Sequence, residues 1–509
     1  MSARRHEDGA RVPRLDAAWL ARGGAGRAGG VALPGYVPAD HGVGIVHLGM
    51  GAFHRAHQAV YTDDVLAARG GDWRIRGVSL RGAAVAAALN PQDGLYTLLT
   101  RGAGETSARV VGSVAGVIAA ANDLVAALQA LASPSTRIVT LTVTEKAYGI
   151  DRASGRIQAL HPAVAHDLEH PDRPEGVLGM LVWALGERRR RQIEPFTVLC
   201  CDNLPDNGHL LRAGVLDMAR RTAPELAAWI EDRVAFPCSM VDRITPAATA
   251  RTLADAAAVL GCEDRAAVET EPFSMWVVED RFPMGRPAWE LAGALMVDRA
   301  APFERMKLRM LNGAHSLLAY AGHVAGFVHV RDAMGDPVPA SAVRAYLSSA
   351  AASLDPLPGL DLDRYAAALA ERFSNPAIAH ETYQIAMDGT EKLPQRILSP
   401  AAEVLRKRGD ARAFAFATAA WMRYCLGFRD DGAAYDLRDP RQVEIEAAVR
   451  GREKDAAGLV SALMAIDGLF PDELRGSAPW TRQVEACLEA MLSRGMKAAL
   501  ADFPLPHRA

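Results

Sequence analysis

"IVHLGMGAFHRAH", Ile45 to His57, is the stretch whose reading decides the fold. A continuous apolar run breaks at Gly49 and Gly51 and passes directly into a helical pattern. A short, mostly apolar run of this kind reads as a strand buried on both faces, as in parallel sheets. Glycines at the carboxyl end of such a strand permit a tight turn and let a pyrophosphate approach the start of the next helix. The third glycine of that pattern is His54 here. Spacing alone therefore leaves two readings, a dinucleotide-binding turn and a plain strand–turn–helix. The acid expected on a ribose after the second strand is also missing. "VSLRGAAVAA" offers Arg81, which can meet a 2′-phosphate or stand in solvent.

Outward from this stretch, "WRIRGVSL", "TRIVTLTVTE" and "FTVLCCDN" read as further strands. Helical segments such as "NDLVAALQALA" and "GVLGMLVWALGERRRRQ" lie between them, and a helix is expected from His54 to Ala68. This alternation predicts an α/β domain over residues 41–298 with a mostly parallel sheet covered on both faces. A Gly/Ala/Arg-rich lead over residues 1–40 is expected to be loose. From residue 299 to 509 strand signals nearly vanish. Ala/Leu-rich segments such as "ASAVRAYLSSAAASL" and "ARAFAFATAAWMRYCLG" predict a mainly α-helical domain.

The chain has 509 residues, half of them apolar, and a net charge of −3 spread along its length. A nucleic-acid surface needs clustered Lys and Arg. The one dense run, "ERRRRQ" at 187–192, reads as a solvated helix face. Six scattered cysteines form no CxxC pair and no metal-type spacing, so neither a structural zinc nor a disulfide framework is called for. A reducing, cytoplasmic location is expected. "VVGSVAGVIAAANDLVAALQALA" is interrupted by Asn122 and Asp123 and is too polar to span a bilayer. The expected partners are small molecules, with no nucleic acid and no membrane; the oligomeric state is not encoded.

The chemistry concentrates in "MKLRMLNGAHSLLAY", Met306 to Tyr320. At roughly 100° per residue, His315 lies about 80° from Lys307, Asn312 about 140° and Glu304 about 60°. Such an arc is either a solvated stripe or a base with its hydrogen-bonding partners. Glu145 in "TVTEKAYG", Asp202 and Asn203 in "CCDNLPDNG", and Asp242 in "FPCSMVDRITPAAT" sit at or just past strand ends, where turn chemistry and ligand sites both occur.

These segments appear in one order, and together with "EPFSMWVVEDRF" they resemble the polyol-specific long-chain dehydrogenases, the mannitol dehydrogenase family. The resemblance is strongest at "IVHLGMGAFHRAHQA", "SMVDRITP" and "MKLRMLNGAHS". It implies a Rossmann-like dinucleotide-binding domain followed by a helical substrate domain. It also implies metal-independent hydride transfer between a nicotinamide cofactor and a secondary alcohol. Carried over residue by residue, Lys307 is the base, Asn203 and Asn312 hold the reacting oxygen, His315 orients substrate and Glu304 lies in the proton path. Gly49, Met50, Gly51, Ala52, Phe53, His54 and Glu145 fall on the cofactor side, and Asp242 and Lys392 at substrate positions. NAD is the implied cofactor, with NADP left open by Arg81. The chemistry is coherent, because a lysine can serve as base if its surroundings lower its usual pKa of about 10.4. Side-chain amides can hold the developing alkoxide in place of a metal.

"ERFSNPAIAHETYQIAMDGTEKLPQRIL", Glu371 to Leu398, resembles the fructuronate reductase (mannonate oxidoreductase) branch more than the mannitol branch. Gln384 stands where mannitol enzymes carry an arginine, and Lys146 where they tend to have a small residue. A hexonate carboxylate asks for a cation, and Lys392 and Arg396 are either that cation or surface residues. The expected reaction is D-mannonate/D-fructuronate interconversion. The alternatives are D-mannitol/D-fructose or another polyol, a dinucleotide-binding protein without catalysis, and a hydrolase using Ser316 beside His315.

Overall fold

Strand β1 (Val43–Leu48) contains the apolar run before Gly49, and every residue of it after Val43 is buried. The computed structural model describes residues 13–22, 30–152, 154–377 and 380–503. The chain divides into two units, Met1–Ala301 and Pro302–Ala509. In the first, β1 is joined by β2 (Arg74–Ser79), β3 (Val114–Ala119), β4 (Ile138–Leu141) and β5 (Thr197–Cys200). They form one parallel sheet in the order β3-β2-β1-β4-β5. Val46, Leu48, Val139, Leu141 and Val198 enter the core on one face, and Ile45, Ile75, Ile138 and Leu199 the core on the other. A one-residue slip would exchange the two sets, so burial on both faces fixes the register. The order reverses between β1 and β4, which opens a crevice at their carboxyl ends.

The expected helix after β1 is two helices, α1 (Ala52–Ala56) and α2 (Gln58–Arg69), broken at His57. The long apolar stretch after residue 110 resolves into the end of a strand (Thr106–Val111), β3 and the helix Leu124–Ala132. Asp123, one of the residues that interrupt it, is that helix's cap, accepting from the Ala126 amide at 2.9 Å. Thr106–Val111 pairs antiparallel with Tyr96–Arg101 in a second, four-stranded sheet, whose other strands are Val31–Ala32 and Val268–Thr270. In a third sheet β6 (Ser239–Asp242) pairs antiparallel with β7 (Met275–Glu279). These short strands carry no period that distinguishes them from loops.

Two expectations need correction. The described residues of the lead 1–40 are not loose, since Leu15 and Trp19 are buried and Val31–Ala32 pairs with Ala108–Arg109; residues 1–12 and 23–29 lie outside the described residues. The run 187–192 is not uniformly solvated. Arg188 is 0 % exposed, donates to the carbonyls of Ser133 and Glu194, and packs on Phe196, while Arg189 to Gln192 are exposed. A buried guanidinium is tolerated there because carbonyl acceptors replace its water.

The second unit is helical, and its only strand-type pairing among the described residues is at two isolated bridges, His329↔Glu381 and Phe428↔Ala434. Besides α3 (Asn207–Thr222) in the first unit, the helices that matter are α4 (Ala301–Lys307), α5 (Gly313–Val324), α6 (Leu362–Phe373), α7 (Thr382–Ala386), α8 (Gly389–Leu393) and α9 (Arg412–Tyr424). In α9 every residue from Ala413 to Tyr424 is buried, as expected of a largely apolar helix, with Arg423 paired to Asp430. Among the described residues no helix is long and apolar enough to cross a membrane.

Candidate active site

The turn after β1 separates two uses of glycine. Gly49 has φ +92°, and a Cβ there would lie 2.3 Å from the Thr142 carbonyl oxygen, so glycine is required for the strands to approach. Gly51 is extended, and a Cβ there would meet nothing closer than 3.7 Å. The space before Gly51 is therefore open. The first-turn amides of α1, on Ala52 and Phe53, have no carbonyl of a preceding turn to meet. Free amides at the start of a helix are the kind of group that meets an anion. Met50 and His54, both expected on the cofactor side, turn their side chains inward. Met50 is 3 % exposed and fills the space a Gly77 side chain would need. His54 is 0 % exposed, stacks on His47 at 3.5 Å and bonds Gln58. Burial holds its pKa well below the usual value. Only the backbone of these two residues is available to a ligand. Phe53 is half-buried and stacks on His57.

At the other side of the crevice Asp202 follows β5. Its carboxylate accepts from the amides of Val143 (2.9 Å) and Thr144 (3.1 Å) and from the Tyr148 hydroxyl (2.6 Å). This ties the loops after β4 and β5 together and fixes the residues that follow each, Glu145 and Asn203. Both are exposed, and Glu145 is ion-paired with Arg152. Asn207 begins α3. Its side chain donates to the carbonyls of Asp202 (3.1 Å) and Ser239 (2.8 Å) and accepts the Ser239 amide (3.0 Å). It thereby pins β6, at whose end Asp242 is 5 % exposed. Arg243 serves structure, donating to the carbonyls of Ala56 and Glu271. Beyond β2, exposed Arg81 lines a cavity of about 770 Å³ together with His161, His166, Arg173 and Glu175.

In the second unit Lys307 is the last residue of α4 and is 8 % exposed, and Glu304 lies one turn before it, half-buried. The chain then runs through a π-helical turn, Leu308–Asn312, before α5. A regular helix was expected throughout. Bonds from i to i+5 take more residues per turn, so Asn312 comes closer in phase to Lys307 than 100° steps predict. Such turns cluster at functional sites.

His315, in the first turn of α5, stacks on Phe373 at 5.3 Å and lies 5.8 Å from the His380 ring. Its Nε2 is buried with no hydrogen-bond partner among the described residues. Burial, then the charges of His380, Arg396, Arg372 and Lys392, push its pKa down to about 3. The imidazole is neutral and keeps one donor and one acceptor. Arg396 lies in a second π-helical turn, Pro394–Leu398, and donates to Ser316 Oγ at 3.1 Å. No carboxylate among the described residues pairs with it. That contact, with Ser316 only 1 % exposed, removes the hydrolase reading.

Lys392 differs from expectation. Its ammonium donates to the carbonyls of Met387 (2.5 Å) and Ile385 (3.3 Å) and pairs with Asp388 at 3.6 Å. Gln384 is exposed on α7. Arg372, buried at the end of α6, and His380 were not singled out in the sequence. Both fall within "ERFSNPAIAHETYQ", where no spacing in the sequence marks them as site residues; the intervening Ile378 and Ala379 lie outside the described residues.

Comparison with known proteins follows the same division. The mannitol dehydrogenase Rossmann domain family matches residues 43–291, and the mannitol dehydrogenase C-terminal domain family residues 299–492. The chain is 43% identical over 462 residues to D-mannonate oxidoreductase of Escherichia coli K12, covering 90% of this chain and 95% of that one. It is 38% identical over 469 residues to mannitol 2-dehydrogenase of Aspergillus terreus, covering 90% and 93%. Among solved structures, the ternary complex of Pseudomonas fluorescens mannitol 2-dehydrogenase with NAD and D-mannitol is similar at TM-score 0.78 and 37% identity. That match covers 96% of this chain and 98% of the other.

Proposed function

Because the chain belongs to the mannitol dehydrogenase family, we propose that it interconverts D-mannonate and D-fructuronate. It is an NAD-dependent oxidoreductase of polyols or sugar acids. NAD, when bound, supplies the hydride acceptor, and we assign its pyrophosphate to the open space at Gly51 and the Ala52 and Phe53 amides, with Gly49 shaping the turn. We assign Lys307 to take up the proton of the substrate hydroxyl and Glu304 to pass it towards solvent. Asn312 donates to the reacting oxygen, with Asn203 given the same role by the resemblance alone. Glu145 is kept on the cofactor side and Asp242 on the substrate side on the same ground. Neutral His315 orients a neighbouring hydroxyl without adding charge.

The observation that carries the sugar-acid reading is Arg396. Its guanidinium is largely buried, beside a histidine already crowded by cations, and lacks a carboxylate partner among the described residues. An uncompensated buried cation is costly, and an anionic substrate would offset that cost. One observation favours the second reading, D-mannitol/D-fructose. Lys392, the other cation assigned to the carboxylate, is engaged by backbone carbonyls and Asp388.

The test is a panel of D-mannonate, D-fructuronate, D-mannitol, D-fructose and D-arabinitol with both nicotinamide cofactors, for the natural protein and Arg396→Met. A charged hydrogen bond to the carboxylate is worth about 1.5–3 kcal/mol, so Arg396→Met should lower kcat/KM for mannonate by about 10- to 150-fold. Its residual mannitol use should change far less. A higher kcat/KM for mannitol than for mannonate in the natural protein would replace the sugar-acid reading with the mannitol one.

A further inference from the structure

Outside the residues assigned to catalysis, the start of α3 carries a cluster the reaction does not use. Asp206 precedes the helix, His209 lies in its first turn and Cys238 directly precedes β6. His209 Nδ1 and Asp206 Oδ1 are 2.9 Å apart, Cys238 Sγ and Asp206 Oδ1 3.6 Å, and Cys238 Sγ and His209 Nδ1 3.8 Å. Tetrahedral zinc with bonds of about 2.0–2.3 Å to N, O and S requires edges of roughly 3.3 Å for N–O and 3.6 Å for the edges to sulfur. The three donors therefore already describe one face of such a tetrahedron to within a few tenths of an ångström. We propose that Asp206, His209 and Cys238 bind a divalent transition metal of the zinc class, with the fourth position open to water.

Two further features fit this use. The backbone, not long side chains, sets the separation of the donors. A Cβ on Gly208 would lie 2.6 Å from the Pro237 carbonyl oxygen and 2.7 Å from that of Phe236, so α3 begins pressed against the segment leading to Cys238. The amides of Gly208 and His209 also donate towards Sγ, which supports a thiolate at a helix start. Burial, Glu279 and Asp206 oppose ionisation and push the free thiol up to about 12. Metal coordination replaces the thiol proton, which leaves to solvent, and its positive charge offsets the two carboxylates. The mixed Cys/His/Asp set suits zinc or cobalt better than magnesium or calcium, which take oxygen ligands. A metal here would not act in catalysis. It would tie the loop bearing Asn203 to the strand that ends at Asp242.

The test is titration of the full-length protein with Co²⁺, followed by absorbance. The expected result is a near-ultraviolet thiolate-to-cobalt band with visible bands of a four-coordinate ion, saturating at one Co²⁺ per chain and reversed by excess Zn²⁺. Cys238→Ser should abolish the near-ultraviolet band, and His209→Gln, at an exposed position, should weaken binding by about tenfold or more. Cys487→Ser, at a cysteine outside the cluster, should leave the titration unchanged. No saturable band, or an undiminished band in both Cys238→Ser and His209→Gln, would reduce the cluster to a hydrogen-bonded thiol, imidazole and carboxylate.

Discussion

Substituting alanine at Gly51 and at Gly49 should give opposite signatures. At Gly51 the backbone is extended and an added Cβ makes only an ordinary contact at 3.7 Å, so Gly51→Ala keeps the fold. Loss of a good helix-capping residue costs about 0.5–1 kcal/mol. At about 2–4 °C per kcal/mol for a large domain, the melting temperature should fall by about 1–4 °C. The methyl group would stand in the open space before the α1 amides, where the pyrophosphate must come closest. Loss of one charge-assisted hydrogen bond there is about 1.5–3 kcal/mol, or roughly 10- to 150-fold in NADH affinity. At Gly49 an alanine must adopt φ +92° and overlaps the Thr142 carbonyl oxygen at 2.3 Å. The strained conformation alone costs of order 1–3 kcal/mol, before β1 and the loop after β4 are forced apart. Gly49→Ala should therefore lose stability first. Thermal melts and NADH fluorescence titrations of the two variants separate the cases. NADH affinity in Gly51→Ala within twofold of the natural protein would refute the pyrophosphate assignment.

Lys307→Ala should reduce turnover by about 10²–10⁴-fold while NADH affinity stays within twofold; near-normal activity between pH 6 and 10 would remove Lys307 as the base. Arg81 lines the cavity beyond β2 and no acid follows that strand, so NADPH should bind measurably beside NADH, and Arg81→Ala should weaken NADPH alone; equal loss of both cofactors would refute the assignment. His47 is pushed down to about 3 and His54 well below its usual value by burial, so both are neutral in the folded first unit. The unfolded chain protonates them near pH 6.5, hence between about pH 3 and 6.5 it binds more protons, and stability rises with pH and is lost on acidification. Chemical denaturation from pH 7 to 5 should show losses approaching about 1.4 kcal/mol per pH unit for each histidine. His47→Gln should flatten the slope, and a pH-independent midpoint would contradict it.

What the sequence by itself determined was the material of the central sheet and the helical second half. Ile45 to Leu48 had to be a strand buried on both faces, and Gly49 could only be a turn. Long Ala/Leu segments such as Arg412–Tyr424 could bury themselves only as helices. These outcomes rest on local apolarity and period. The polar arc at Lys307, Asn312 and His315 was legible because it interrupts a helix otherwise built for a core. Tertiary structure decided the rest. The π-helical turn at Leu308–Asn312 resets the phase of that arc and leaves no mark in hydrophobic spacing. His54 and Arg188 are polar by composition, but the fold gives each a neighbour that lets it be buried, the His47 ring stacked on one and the Ser133 carbonyl, 55 residues away in sequence, bonded to the other. Lys392 and Arg396 look equivalent as letters four apart. Only the fold gives one to Met387 and Asp388 and leaves the other beside His315, because charge compensation in a protein interior depends on neighbours that the sequence does not place.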